Sequence, residues 1–230
     1  MIGIVVQLLI TFLLLHFFNQ GKLDVLGMYP TKKRIGQALV FMLFSMMACS
    51  IGFIFRMGFA KETWEMNPAF TMNLLADGIW WNVKSVLFEE FIFRGALLFL
   101  FIKWVGKNYA LLISSVAFGI YHWFSFEILG NYWMMLQVFL VTGLVGLVYA
   151  WGFIKSQSMY PAIAMHFGWN FTQDFLFSSG PIGKGLWIQL LPSPTITVSY
   201  FVYFLIVFAP MLVFLVVNPL LLQAFNKKVH

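Results

Sequence analysis

Charge is what this sequence has least of: Asp, Glu, Lys and Arg make up 10% of its residues, against about 25% in an ordinary soluble domain. Acid is the scarcer sign, with 8 Asp and Glu against 14 Lys and Arg. So little charge excludes a disordered chain, and Gly without a period of three excludes collagen. The single cysteine excludes a disulfide scaffold. The basic residues are scattered among 28 Phe and 9 Trp, too sparse for a surface that tracks nucleic-acid phosphates. What is abundant is apolar: 61% of 230 residues, with a mean hydropathy of +0.87. One small core cannot bury that excess, and a bilayer can accommodate it. The composition predicts an all-α polytopic transmembrane helix bundle.

A spanning helix needs about 20 predominantly apolar residues. By that measure the chain offers about seven candidates, at 2–18, 35–59, 78–102, 109–126, 132–154, 158–177 and 196–217. The first lacks a basic leader and a small-residue cleavage site, so it reads as a helix rather than a signal peptide. No polar stretch is long enough for a second soluble domain, and 1–230 reads as one integral membrane domain. Pro68 marks the loop before the third candidate, and Pro192 and Pro194 the loop before the last. Gly143 and Gly146, with Ala150 beyond, are expected to let a neighbouring helix approach the fifth.

The few charges alternate from loop to loop. One set of ends carries Lys22, Lys32, Lys33, Arg34, Lys103, Lys107, Lys155, Lys227 and Lys228, with Asp24 as its acid. The other carries Glu62, Glu65, Asp77, Glu127 and Asp174, with Arg56, Lys61 and Lys184. The positive-inside rule then predicts the N-terminus outside and the C-terminus in the cytoplasm, as an odd number of spans requires. The basic balance follows from topology and calls for no anionic ligand.

Ionisable residues at membrane depth cost roughly 2.5–3.5 kcal/mol each even on the gentler insertion scales, which makes them functional candidates. The third candidate holds Lys84, Glu89, Glu90 and Arg94, the fourth holds His122, and the sixth holds His166 and Asn170. Glu90 and Arg94 are spaced i, i+4 and can pair on one helix face, while Glu89 is turned about 100° away. At about 1.5 Å per helical residue from the nearest basic end, Glu89 lies about 21 Å deep, His122 about 22 Å and His166 about 17 Å. Three helices thus bring a carboxylate and two imidazoles to one level, which favours a single site. Lys84 and Asp174 read as interfacial, and Cys49 as an inert apolar thiol.

Three motifs carry a resemblance: Glu89-Glu90-Phe-Ile-Phe-Arg94, Phe118-Gly-Ile-Tyr-His122 and His166-Phe-Gly-Trp-Asn170. In this order they resemble the CAAX prenyl protease and bacteriocin-processing (CPBP, or Abi) family of intramembrane proteases, over about 78–175. Gly95 and the Gly-rich fifth helix are also similar. The resemblance implies that Glu89 and His122 activate a water, that His166 and Asn170 stabilise an oxyanion, and that Glu90 and Arg94 orient the site. It implies a peptide or protein substrate at the membrane of a bacterial or archaeal cell.

Other readings of the same residues stay open. Glu90 and Arg94 could form a purely structural ion pair, and Asn170 could serve as interhelical glue. Glu89, His122 and His166 have the composition of a catalytic zinc site, but no short His-Glu-x-x-His spacing accompanies them. The expectation is therefore a metal-free Glu/His pair without cofactor, with zinc as the alternative. Intramembrane Glu, His and Arg also mark proton relays, so a proton-coupled transporter or channel is a second reading, although no inverted repeat is visible. A non-catalytic immunity or chaperone-like protein of the same fold is a third. Oligomeric state has no signature in the sequence.

Overall fold

Polar residues at the helix starts set where the helices begin. Thr31 Oγ1 accepts from the Arg34 N–H at 3.2 Å, Thr71 Oγ1 from Leu74 at 3.2 Å, and Asn131 Oδ1 from Met134 at 3.2 Å. Each satisfies one of the N–H groups that a helix start leaves without a partner. The computed structural model describes residues 2–19, 23–178, 185–191 and 196–227. Among them run α1 (Ile2–Asn19), α2 (Lys32–Phe59), α3 (Met72–Phe93), α4 (Ala96–Val105), α5 (Lys107–Ser125), α6 (Tyr132–Ser156), α7 (Tyr160–Phe171) and α8 (Tyr200–Lys227). The segments Lys32–Phe59, Tyr132–Ser156 and Tyr200–Phe225 are long and apolar enough to cross a membrane. The chain is an all-α, polytopic helical bundle of membrane type. Pro192, Pro194, Lys22, Lys184 and Lys228 lie outside the described residues.

The structure differs from expectation over 78–102. That run is two helices, not one: α3 stops at Phe93 and α4 starts at Ala96. The Arg94 N–H closes the last turn on the Glu90 carbonyl at 2.8 Å, and Gly95 caps α4 with no side-chain hydrogen bond. A Cβ at Gly95 would collide with the Phe91 carbonyl, so only glycine lets the chain turn this sharply. The depth of Glu89 can therefore not be counted along one straight helix from Lys103. The sixth candidate is also divided, into α7 and a π turn over Thr172–Leu176 in which the Phe177 N–H reaches the Thr172 carbonyl at 2.8 Å.

Two compact units contain these elements. The first comprises the described residues of Met1–Ala38, Leu87–Ile163 and Pro219–His230. Here α5 packs along α6, α4 against α5, and α1 against α4. Leu15, Phe91, Leu98, Ala110, Phe153 and Met159 form the centre of its core. Gly27 (φ 60°) closes the 3-10 turn Leu23–Leu26, and its carbonyl accepts from Ser158 Oγ at 2.9 Å. Ser158 Oγ in turn accepts from the Tyr160 N–H at 3.2 Å, fixing the start of α7 where Pro161 suits the first turn.

The close approach of α5 to α6 rests on particular glycines. A Cβ at Gly146 would lie 2.8 Å from Phe118 Cδ1 and 3.1 Å from Arg94 Nη2, whereas one at Gly143 would meet Ser115 O at an ordinary 3.8 Å. The expected Gly143–Gly146 pair is thus unequal. Gly146→Ala is expected to destabilise the protein by about 1–3 kcal/mol through overpacking, while Gly143→Ala leaves stability near wild type. Thermal unfolding of the two purified variants in detergent distinguishes them, and equal melting temperatures would contradict this packing.

The second unit comprises the described residues of Leu39–Val86 and Ala164–Asn218. It contains a short antiparallel pair that the helical reading missed: β1 (Trp64–Met66) against β2 (Trp187–Gln189), with Glu65 opposite Ile188. Asn67 fastens this pair, donating from Nδ2 to the Gly185 carbonyl at 2.9 Å. Arg56 and Glu62, expected only as topological charges, pair at 2.9 Å beside the Trp64 indole. Lys84 lies over the rings of Trp80 and Trp81 at 5.7 and 5.6 Å. Cys49 is buried and unpaired, as an apolar thiol should be.

Candidate active site

The end of α3 and the last turn of α5 bring Glu89, Glu90, Arg94 and His122 together in the first unit. All four are buried, Glu90 and Arg94 completely. Because α3 ends just after Phe93, these acids occupy its last turn and a half. Glu90 and Arg94, one helical turn apart, form the expected pair, with Nη1 to Oε1 at 3.1 Å. Arg94 also donates from Nη2 to the Gly146 carbonyl at 3.0 Å, which ties the α3–α4 corner to α6. Its guanidinium lies 4.2 Å from the centre of the Phe118 ring and 5.1 Å from that of Tyr149. An Arg between aromatic faces is held in both position and plane.

His122 is oriented from below. Its Nδ1 is 2.8 Å from the Phe118 carbonyl, one turn earlier in α5. A carbonyl can only accept, so Nδ1 carries the hydrogen and Nε2 is the basic nitrogen of the neutral ring. Nε2 faces Glu89 Oε2 at 3.9 Å. That is too long for a direct hydrogen bond. It matches the span that a single water can bridge at about 2.8 Å to each side. The rings of Phe118, Tyr121 and Phe126 stand edge-on around the imidazole at 4.5, 5.4 and 5.2 Å and fix its plane. The geometry provides a carboxylate and an imidazole aimed at one small volume in apolar surroundings, which is what proton abstraction from water needs.

His166 and Asn170 lie one turn apart on α7, in the part belonging to the second unit. His166 is buried and Asn170 half-buried. A Cβ at Gly168, between them, would run into the Met42 backbone, so α7 lies close against α2 here. The π turn follows directly, and Thr172 Oγ1 donates to the Gly168 carbonyl at 2.8 Å within it. Turns of this kind are frequent where a helix must aim functional groups. Asp174, expected to be interfacial, is half-buried on that turn and within electrostatic reach of His166.

Phe118 was quoted only as part of a motif. In the structure it supplies the carbonyl that orients His122 and the ring that supports Arg94. Gly146 and Tyr149 were not connected to the site at all, because a backbone acceptor and a ring face leave no chemical mark in a sequence. Among the described residues no group of three or more His, Cys, Asp and Glu side chains is placed to hold a metal ion.

Comparison with curated proteins and with solved structures returns no match. Residues 70–172, which contain all three motifs, match the family model for the Rce1-like type II CAAX prenyl endopeptidases, in agreement with the CPBP resemblance.

Proposed function

We propose that the protein is an intramembrane endopeptidase that hydrolyses a peptide bond of a membrane-associated or membrane-delivered substrate. The observation that carries this reading is the Glu89–His122 pair, 3.9 Å apart, with the imidazole tautomer set by the Phe118 carbonyl. A water between them gives a proton to the pair as its oxygen attacks the scissile carbonyl carbon. The carbonyl oxygen becomes an oxyanion; the CPBP resemblance assigns its hydrogen-bond donors to the Asn170 amide and a His166 ring N–H, and such donors contribute about 2.7–4 kcal/mol each. The C–N bond then breaks, and the abstracted proton leaves on the amine. Glu90 and Arg94 hold the end of α3 in place and are positioning residues.

We further propose that the chain sits in a bacterial or archaeal cell membrane with its N-terminus outside and its C-terminus in the cytoplasm. The segregation of basic and acidic helix ends supports that orientation. Membrane proteomics of cells carrying the wild-type chain or Glu89→Gln tests the function. A cleavage product present only with the wild type is the expected result; identical peptide inventories would sink the reading.

The pair acts without a metal in this mechanism. Purified protein is expected to keep its full cleavage rate after dialysis against a strong chelator, and elemental analysis to find well under one equivalent of zinc. Loss of activity restored by zinc would reverse that assignment.

A further inference from the structure

The basic helix ends were explained by topology alone, yet three of their lysines converge. In the first unit Lys33 from the start of α2, Lys107 from the start of α5 and Lys155 from the end of α6 line one open cavity of about 730 Å³. No Asp or Glu is among the residues lining it, and none of the three lysines forms an ion pair among the described residues. Three like charges around one concavity repel each other and are stabilised by an anion between them.

Other features of the cavity fit the same anion. Lys107 and Asn108 are the first residues of α5, whose cap Gly106 (φ 85°) has no side chain to bond the first-turn N–H groups. That end is electropositive and supplies donors. Leu111, Trp151 and Ile154 form an apolar wall beside the lysines. A small free anion has no use for such a wall, whereas the glycerol and acyl chains below a head group do.

We infer that this cavity binds the phosphate head group of an anionic bilayer lipid. The lysines and the α5 start take the phosphodiester, and the apolar wall takes the upper part of the chains. This site is distinct from the Glu89–His122 pair, and its occupancy is read by binding, so the outcome is separate from that of the proposed hydrolysis.

The test uses delipidated, full-length protein in a neutral detergent, titrated with phosphatidylglycerol or phosphatidylcholine and read by native mass spectrometry. The wild type is expected to prefer phosphatidylglycerol by at least about tenfold. The triple variant Lys33→Gln, Lys107→Gln, Lys155→Gln should lose the preference. A charge-matched control, Lys32→Gln, Lys61→Gln, Lys103→Gln, should keep it. The exposed positions make unfolding an unneeded explanation, and equal melting temperatures of the lipid-free variants exclude it. Equal loss in both triple variants would overturn the assignment to this cavity. Displacement of the lipid by excess inorganic phosphate would overturn the lipid reading in favour of a free-phosphate site.

Discussion

Glu89→Gln is expected to lower the cleavage rate by about 10²–10⁴-fold, the usual contribution of a positioned acid or base, while leaving the fold intact. Glutamine has the same shape but cannot take a proton from water. Glu89 is 8% exposed, and an amide is less costly than a carboxylate to keep at such a site. The melting temperature should therefore stay level or rise. His122→Gln removes the basic Nε2 that faces Glu89 and should cost a similar factor. The double variant is the sharper measurement. Two groups that act on one water fail together, so the combined loss should be close to that of either single variant rather than their product. Multiplying losses would mean that the two residues serve separate steps, and wild-type turnover in Glu89→Gln would remove the proposed mechanism altogether.

The residues of that pair were legible in the sequence because lipid makes ionisable groups conspicuous. Glu89, Glu90, Arg94, His122 and His166 stood out as costly polar atoms in apolar runs, and the structure finds all five buried. Helical spacing also anticipated the Glu90–Arg94 pair correctly. The corner at Gly95 was hidden by the same logic. A run of apolar residues from 78 to 102 satisfies a span whether or not it bends, and hydropathy does not register backbone direction. The small sheet was hidden for another reason. Trp64–Met66 and Trp187–Gln189 pair across a long stretch of chain, and neither three-residue segment has a periodicity of its own.

The alternatives left open for Glu90 and Arg94 can be separated by combining stability with activity. Both side chains are fully buried, and Arg94 is the partner that neutralises Glu90 at 3.1 Å. Arg94→Ala leaves a carboxylate buried without its cation and is expected to destabilise the protein by about 3–5 kcal/mol. Arg94→Lys keeps the charge but has no planar fork to reach Glu90 and the Gly146 carbonyl together, so it should restore only part of that loss. Replacing both partners, as Glu90→Leu with Arg94→Met, removes the charges and keeps the volume. Pairs exchanged in this way often lose little stability, so the double variant should melt near the wild type. Its cleavage rate should nevertheless remain at least about tenfold low. Glu89 is the residue before Glu90, and the bond from Arg94 to the Gly146 carbonyl that helps tie that turn of α3 to α6 is gone. A double variant that regains both its melting temperature and its full rate would reduce the pair to a structural ion bridge. One that regains only the first shows that the pair places Glu89 against His122.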